Sequence, residues 1–339
     1  MRSAQTARNH LRPDCVRTRD GEGRAIEYLR LSVTDRCNCR CAYCMPAGGV
    51  PMLRHEDVCS FEELVGIVRA CCELGVRKVR LTGGEPLVRR GLPELVRMLH
   101  EVPGVEELAL TTNATLLAPV AGELAAAGLD RVNVSLDSLR PERYAAITRG
   151  GRLEDALAGI EAAREAGLAP LKLNCVLMGG VNDDEAADIA GIARNEAVDV
   201  RFIELMPIGE AARWPRARFV PAEAVLEAVP ELGPVAGPGG APLRDGVAEL
   251  FSAPGWAGRV GLIRPMSHRF CFGCTRIRVT ADGRLKPCLH SADEVPLRGL
   301  SGEALTKALL AGIALKPAHH GMDGTHASES ARAMNEIGG

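Results

Sequence analysis

Short apolar segments alternate with helix-type patterns through the middle of the chain. Six of these segments are rich in Val, Ile, Leu or Thr and end in polar or glycine-rich residues, which is typical of buried β-strands. We predict strands at Tyr28–Thr34, Val76–Thr82, Glu107–Thr112, Arg131–Leu136, Leu171–Met178 and Val198–Met206. Between them, apolar residues recur at helical spacing over 61–74, 92–100, 118–127, 153–166 and 183–195, and Gly75, Gly128 and Gly167 stand where helices end.

This alternation predicts an α/β fold with a parallel sheet and right-handed crossovers. Six units are too few for a closed eight-stranded barrel, so we expect an open, partial (β/α)6 TIM-like barrel. In such barrels the chemistry lies at the carboxyl ends of the strands. The distinctive residues follow that rule: a cysteine-rich segment follows the first strand, Thr82-Gly83-Gly84-Glu85-Pro86 follows the second, and Ser135 and Met206 stand at the ends of the fourth and sixth.

The pattern divides the chain into three regions. Residues 1–22 carry five arginines and little apolar pattern, which indicates a flexible N-terminal arm. The partial barrel is predicted over 23–225. After about residue 225 the pattern changes: Gly233–Pro242 has the composition of a loop, and the rest is irregular, cysteine-bearing sequence. We predict that this C-terminal region, 226–339, closes the open side of the barrel.

Composition narrows the class of function. The 339 residues are 46% hydrophobic and 3% aromatic, with a net charge of −2 and a pI near 6.5, so neither nucleic acid nor a membrane surface is an expected partner. No apolar run reaches the roughly 18 residues of a membrane span. Six of the twelve cysteines fall in two clusters of three. In a long chain with an ordinary core this favours cofactor ligation in the reducing cytoplasm over disulfides.

The first cluster is the most specific chemical signal. Cys37, Cys41 and Cys44 have the spacing C-x3-C-x2-C, which supplies three thiolates and no obvious fourth ligand. A structural zinc site needs four ligands, whereas a cubane iron–sulfur cluster held by three cysteines leaves one iron open to another ligand. We interpret Cys39 as a bystander, because its use would change the ligand spacing. A zinc site built from all four cysteines is the alternative.

The second cluster consists of Cys271, Cys274 and Cys288. With His290 it would form a Cys3His set, and the spacing alone slightly favours such a structural zinc site. The surrounding sequence favours a second iron–sulfur cluster instead.

The motifs together resemble a known family. The first cysteine motif, with Tyr43 before its last cysteine, is similar to that of the radical S-adenosylmethionine (SAM) enzymes. The Gly-Gly-Glu-Pro stretch resembles their segment that meets the amino group of SAM. Backbone carbonyls and Glu85 can accept hydrogen bonds from such an ammonium group. The segments 28–37 and 267–289 and the end Ile337-Gly338-Gly339 closely resemble the GTP 3′,8-cyclase family, which opens molybdenum cofactor biosynthesis. This resemblance runs from about residue 25 to the last residue.

The resemblance implies roles for the matching positions. Cys37, Cys41 and Cys44 would hold a [4Fe-4S] cluster that binds SAM, and Cys271, Cys274 and Cys288 a second [4Fe-4S] cluster whose open iron faces the guanine of GTP. Contacts to SAM are implied at Tyr43, Gly84, Ser135 and Met206. Contacts to GTP are implied at Arg30, Arg80, Thr111, Lys172, Arg276 and Arg278. Catalytic roles are implied for Arg276, Arg278, Gly338 and Gly339.

The chemistry that the resemblance implies is a radical lyase reaction. A 5′-deoxyadenosyl radical derived from SAM removes the C3′ hydrogen of GTP. The resulting C3′ radical adds to C8 of guanine and gives (8S)-3′,8-cyclo-7,8-dihydroguanosine 5′-triphosphate. The implied partners are an electron donor and the cyclic pyranopterin monophosphate synthase that receives the product. Members of the family are often homodimers, although no feature of this sequence marks an interface.

Physical chemistry agrees with the implied substrate. Arg30 and Lys172 lie within predicted strands that should face a crevice, where a cation is costly unless an anion such as a phosphate pairs with it. Two alternatives stay open at this point. One is a different radical SAM enzyme with an auxiliary cluster, which the Arg276-x-Arg278 pair and the Gly-Gly end disfavour. The other is a structural zinc protein.

Overall fold

A six-stranded parallel sheet forms the centre of the protein. The computed structural model describes residues 17–322 and 327–338. The strands pair side by side in chain order, and each predicted strand is present, with ends that differ by no more than two residues. They are β1 Tyr28–Ser32, β2 Lys78–Thr82, β3 Glu107–Thr112, β4 Arg131–Ser135, β5 Lys172–Leu177 and β6 Asp199–Glu204.

The helices that connect the six strands cover the outer face of this sheet. All five predicted helices are present, and Gly75, Gly128 and Gly167 have the positive φ of helix-terminating residues. The helices are α1 Phe61–Glu73, α2 Leu92–His100, α3 Ala121–Ala126, α4 Pro141–Thr148, α5 Leu153–Glu165, α6 Ala186–Asn195, α7 Ala224–Ala228, α8 Gly302–Ala314 and α9 Met334–Ile337. Helix α4 was not among the predicted helices, and α8 lies in sequence that was predicted to be irregular.

The C-terminal region adds strands to both edges of the central sheet. Strand β10 pairs parallel with β6, and β11 pairs parallel with β1, so eight parallel strands lie side by side. Among the described residues no hydrogen bonds join the two ends of this array, which confirms the open, partial barrel. The added strands are β7 Gly233–Pro234, β8 Arg244–Asp245, β9 Ala248–Ser252, β10 Arg259–Ile263, β11 Arg276–Val279, β12 Arg284–Lys286 and β13 Val295–Pro296.

The described part of the predicted N-terminal arm packs against the barrel. The backbone N–H of Thr18 donates to the carbonyl of Leu74 at 3.0 Å, and the buried Asp20 pairs with Arg24 at 2.6 Å. Arg24 in turn donates to the carbonyl of Cys271 at 2.8 Å. Residues 17–22 are therefore part of the folded body, while residues 1–16 lie outside the described residues. The domain boundaries themselves stay predictions.

Alternation along β1 separates the core from an interior cavity. Leu29 and Leu31 are fully buried in the main apolar core with residues of the covering helices, while Tyr28 and Arg30 line the cavity inside the barrel. Successive side chains on a strand point to opposite faces, so β1 contributes side chains both to the apolar core and to the interior cavity. None of the helices in the described part of the chain combines the length and apolar character needed to cross a bilayer.

Candidate functional site

The interior of the barrel is a cavity of about 450 Å³. The residues that line it include every position predicted to hold a cluster, SAM or GTP. They are Cys37, Cys41, Cys44, Cys271, Cys274 and Cys288; Tyr43, Gly84, Ser135 and Met206; and Arg30, Arg80, Thr111, Lys172, Arg276 and Arg278. Gly338 reaches the cavity wall through Arg278. Gly339 lies outside the described residues.

The first cysteine loop rests on a helix that the sequence analysis missed. The backbone N–H groups of Arg40 and Ala42 donate to the carbonyls of Thr148 and Ile147, at the end of α4, at 2.7 and 2.8 Å. Within the loop, the N–H of Cys44 donates to the carbonyl of Cys41 at 2.9 Å. Helix α4 thus fixes the backbone that carries the three thiols.

The environment of these thiols fits an iron–sulfur cluster. Burial raises the pKa of Cys37 and Cys44, the latter to about 12, and burial together with the neighbouring Cys44 raises that of Cys41 well above its usual range. To ionise in this desolvated site, the three thiols need a bound cation, which cluster iron would provide. The backbone N–H of Cys39 donates to the sulfur of Cys37 at 3.4 Å. Cys39 itself is buried, with its sulfur 3.5 Å from the side-chain nitrogen of Asn113.

The Gly83–Gly84 turn packs directly on the first cysteine loop. The N–H of Gly84 donates to the carbonyl of Thr34 at 2.8 Å, and that of Glu85 to the carbonyl of Arg36 at 2.8 Å. A Cβ atom on Gly84 would lie 2.3 Å from the Arg36 oxygen, and one on Gly83 2.5 Å from the Thr34 oxygen. The close approach of two backbones therefore requires glycine at both positions.

The carboxylate of Glu85 is already engaged within the protein. It accepts hydrogen bonds from the Thr112 hydroxyl at 2.8 Å and from the backbone N–H groups of Asn113 and Leu87 at 2.7 and 3.0 Å. Burial nevertheless raises its pKa to about 7. Glu85 thus braces the end of β2 against the end of β3, and its contact with the amino group of SAM stays a prediction.

A buried aspartate fixes the aromatic ring beside the first cysteines. The hydroxyl of Tyr43 donates to Asp137 at 2.9 Å, and Asp137 also accepts from the backbone N–H of Val176 at 2.9 Å. Burial raises the pKa of Asp137 to about 6. Asp137 was not among the predicted site residues, although its position just after β4 is typical of a functional residue in a barrel.

The two cysteine sets stand at opposite ends of the barrel. Cys37, Cys41 and Cys44 follow the carboxyl end of β1, whereas Cys271 and Cys274 precede the amino end of β11, which runs parallel to β1. Cys288 follows β12, which runs antiparallel to β11 and so returns to the same end. A five-residue strand spans about 16 Å. The cavity between the two sets is therefore long enough for a nucleotide.

A buried lysine contacts the second cysteine set. Lys316 Nζ lies 3.5 Å from the sulfur of Cys274 and donates to the carbonyls of Arg276 and Pro287 at 2.7 and 3.0 Å. Burial alone would raise the pKa of Cys274, but the charges of Arg276 and Lys316 lower it to about 6.

His290, the alternative zinc ligand, packs edge-to-face on His320 with the ring centroids 5.1 Å apart. In the ranges 17–322 and 327–338, no three His, Cys, Asp or Glu side chains converge on the site of one metal ion.

Buried cations occupy the cavity between the two ends. Arg30 and Arg80 are direct neighbours across β1 and β2, and Lys172 is 3% exposed. Arg131 and Arg201 join them, which the sequence analysis missed because a single basic residue usually marks a solvated surface. The Nε atoms of Arg30, Arg80 and Arg201 are buried and have no hydrogen-bond acceptor among the described residues. Such donors are costly unless an anion binds them.

The C-terminal tail forms part of the cavity wall. The guanidinium of Arg278 donates to the carbonyl of Gly338. The Cα atom of Gly338 packs against Thr82 and Ser32, at the carboxyl ends of β2 and β1. The tail is held upstream by Arg332, which pairs with Glu294 at 2.6 Å and with Asp282 at 2.8 Å. The structure therefore brings the tail and the Arg276–Arg278 strand together.

Comparison with known proteins gives the family. The radical SAM superfamily matches residues 31–192, and the family described as Molybdenum Cofactor Synthesis C matches residues 198–322. The GTP 3′,8-cyclase of Alkaliphilus metalliredigens is 47% identical over 319 residues, which cover 93% of this chain and 98% of the relative. The chain belongs to the GTP 3′,8-cyclase family. The GTP 3′,8-cyclase of Listeria monocytogenes is 43% identical over 329 residues, which cover 95% of this chain and 99% of the relative.

A solved structure supports the fold of this GTP 3′,8-cyclase family member. SuiB of Streptococcus suis, in its complex with the precursor peptide SuiA, superposes with a TM-score of 0.59 at 15% identity, covering 88% of this chain and 67% of SuiB. At that identity the likeness concerns the fold alone. Membership of the radical SAM superfamily implies a [4Fe-4S] cluster and SAM, for which the first cysteine loop has the appropriate donors.

Proposed function

We propose that this chain is a cytoplasmic GTP 3′,8-cyclase that converts GTP into (8S)-3′,8-cyclo-7,8-dihydroguanosine 5′-triphosphate, the first step of molybdenum cofactor biosynthesis. One observation supports this above the others. A single cavity carries three thiols at each end, with arginines between them whose buried Nε–H groups have no acceptor among the described residues. That combination suits a polyanionic nucleotide held between two clusters.

At the first end, Cys37, Cys41 and Cys44 would hold the cluster that binds SAM. Tyr43, Gly84, Ser135 and Met206 would surround SAM. Asp137 fixes the Tyr43 ring, and Gly84 lets the turn after β2 pack closely against the first cysteine loop. When bound, the cluster and SAM supply a 5′-deoxyadenosyl radical. The protein's own contribution is to bind and orient the substrate inside the barrel.

In the middle of the cavity, Arg30, Arg80 and Lys172 would bind the triphosphate. A triphosphate carries several negative charges and offers oxygens in the geometry that guanidinium groups match. Thr111, Arg276 and Arg278 would complete the GTP site, and the tail glycines Gly338 and Gly339 would help to orient Arg278. The guanine would lie toward Cys271, Cys274 and Cys288, which would hold a second [4Fe-4S] cluster. The ribose C3′ then faces the SAM end.

The reaction must balance in hydrogen. The C3′ hydrogen atom is lost to the 5′-deoxyadenosyl radical before the bond from C3′ to C8 forms. The product is an isomer of GTP, so one electron and one proton must be added to the guanine ring in its place. We propose that an external electron donor provides the reducing equivalents, that the product passes to the cyclic pyranopterin monophosphate synthase, and that the protein acts as a homodimer.

A product assay tests this function. The protein is reconstituted anaerobically with iron and sulfide, and reductant and SAM are added with and without GTP. We expect 5′-deoxyadenosine that rises with GTP, together with a cyclised nucleotide detected by mass spectrometry. If the amount of 5′-deoxyadenosine does not depend on GTP, the protein is a radical SAM enzyme but GTP is not its substrate. Zinc without iron or sulfide after anaerobic purification would identify a structural zinc protein instead.

A further inference from the structure

A carboxylate outside the predicted site enters the same cavity. Asp245 belongs to β8, in the hairpin that β8 forms with β9, and it lines the cavity wall. Its carboxylate pairs with the Nζ of Lys172 and with the guanidinium of Arg201. The two cations are 3% and 7% exposed, whereas Asp245 is 39% exposed. The anion is therefore the accessible member of a group whose cations are fixed inside the barrel.

The hairpin that carries Asp245 is lightly anchored. The register pairs Asp245 with Ala248, so the turn contains two residues, Gly246 and Val247. Gly246 has a φ of 63°, and a Cβ atom built on it would meet nothing within 4 Å. Strand β8 pairs with β9 and stands off the main path of the sheet. The tip can therefore shift without repacking the core.

Asp245 satisfies these cations only in part. Its single charge contacts Lys172 and one terminal nitrogen of Arg201, while the Nε of Arg201 has no acceptor among the described residues. The Nε atoms of Arg30 and Arg80 also have no hydrogen-bond acceptor among the described residues. Glu107 pairs with Arg131, and Asp199 lies 3.8 Å from a terminal nitrogen of Arg201, yet the three Nε donors still have no acceptor among the described residues. These donors suit the oxygens of a further anion.

We propose that Asp245 is an internal substitute for a substrate phosphate, which holds Lys172 and Arg201 in the free protein and is displaced when a polyphosphate enters. In the free protein the carboxylate reduces repulsion among buried cations. On binding, the phosphate oxygens take its place and the hairpin tip moves away. The identity of the anion as the triphosphate of GTP rests on the proposed function; the displacement of a carboxylate by an anion does not.

Two substitutions in one hairpin test the proposal. Asp245→Asn removes the substitute anion, and Glu249→Gln removes the same charge from β9, where Glu249 pairs with Arg264 and Arg244 outside the cavity. With inorganic triphosphate as the probe, we expect Asp245→Asn to bind about tenfold more tightly than the wild type, because the anion has no competitor. Glu249→Gln should stay within about twofold of the wild type. Equal affinities of the two variants would overturn the proposal.

A second measurement uses the unaltered protein. Hydrogen exchange is followed in peptides that cover residues 243–250, with and without inorganic triphosphate. Displacement predicts faster exchange in this hairpin when triphosphate is bound, whereas unchanged or slower exchange would contradict it. GTP is tested in parallel. If triphosphate gives the expected results and GTP does not bind, the inference stands and the GTP assignment fails; if GTP binds and the hairpin does not respond, the inference fails and the function stands.

Discussion

The guanidinium of Arg278 donates a hydrogen bond to the backbone carbonyl of Gly338, 60 residues further along the chain. Arg278 is buried on β11, beside Arg30 on β1. Burial and the neighbouring arginines lower its pKa well below the usual range, so a backbone dipole is a valuable partner for it. The tail therefore holds the orientation of a cation in the cavity.

This contact predicts a specific defect in Gly338→Ala. The φ of Gly338 is 79°, and a Cβ atom there would lie 2.4 Å from the Thr82 hydroxyl. The substitution should expel the tail and reduce the cyclised product by about a hundredfold, since misplaced groups around a reaction cost on that order. The melting temperature should stay close to that of the wild type, and limited proteolysis should remove the tail faster.

A matched control lies just upstream of the tail. A Cβ atom on Gly321 would meet only the Glu329 carboxylate, at 3.5 Å, which is an ordinary contact. Gly321→Ala should therefore leave both product and tail protection unchanged. A fully active Gly338→Ala protein would show that the observed tail position is not needed for turnover.

The cysteine assignment predicts opposite results for two neighbouring residues. Cys37→Ala should abolish the formation of 5′-deoxyadenosine from SAM, because it removes one of three cluster ligands. Cys39→Ala should leave that activity nearly intact, because Cys39 falls outside the C-x3-C-x2-C spacing and is buried with its sulfur beside Asn113. Iron content measured on both variants separates loss of the cluster from loss of turnover. Loss of activity in both variants means that the ligand assignment is wrong.

The lowered pKa of Lys172 predicts how anion binding depends on pH. Burial lowers the pKa of Lys172 to about 8 in the free protein, even though Asp245 pairs with it. A bound phosphate favours the charged amine and raises that pKa, so binding takes up a proton above pH 8. Triphosphate affinity should be level below pH 8 and fall above it, by at most about tenfold per pH unit.

Lys172→Arg provides the comparison for this pH dependence. The guanidinium stays charged throughout the range, so the affinity of this variant should remain level above pH 8. Calorimetric titrations between pH 7 and 9.5 distinguish the two profiles. A decline of equal steepness in both proteins would assign the titration to another group.

The second cysteine set predicts selective thiol reactivity in the metal-free protein. Because the pKa of Cys274 is about 6, its thiolate should dominate at neutral pH, whereas Cys44, with a pKa near 12, should react slowly. Iodoacetamide labelling followed by peptide mass spectrometry should give a midpoint near pH 6 for Cys274. Lys316→Met should move the midpoint upward, because it removes a positive charge 3.5 Å from the sulfur. An unchanged midpoint would assign the low pKa to Arg276 alone.

The sequence predicted the central strands well because their signal is local. Each carries a run of apolar residues with a polar or glycine-rich end, and β3 has the predicted bounds Glu107–Thr112. Helix α8 was missed because it follows an irregular, cysteine-bearing stretch, although Leu305, Leu309 and Ile313 form a buried stripe at helical spacing.

The arrangement of the site depended on contacts that no local pattern reveals. Strand β11 pairs with β1, although the two are far apart in the chain. This pairing places Cys271 and Cys274 at the end of the barrel opposite to Cys37. Arg201 and Asp245 were missed for a related reason. Each is a single charged residue in an unremarkable context, and only the folded barrel brings them into contact.

The pairing of both sheet edges with late segments has a consequence for biosynthesis. The outer edges of β1 and β6 find their partners in β11 and β10, which are translated long after the six central strands. Until then, the nascent sheet exposes two rows of unpaired N–H and C=O groups, which can pair with another chain. The loop that carries Cys37, Cys41 and Cys44 is also made well before the walls that will shield it. Assembly of an oxygen-sensitive centre in this protein is therefore safest after translation is complete.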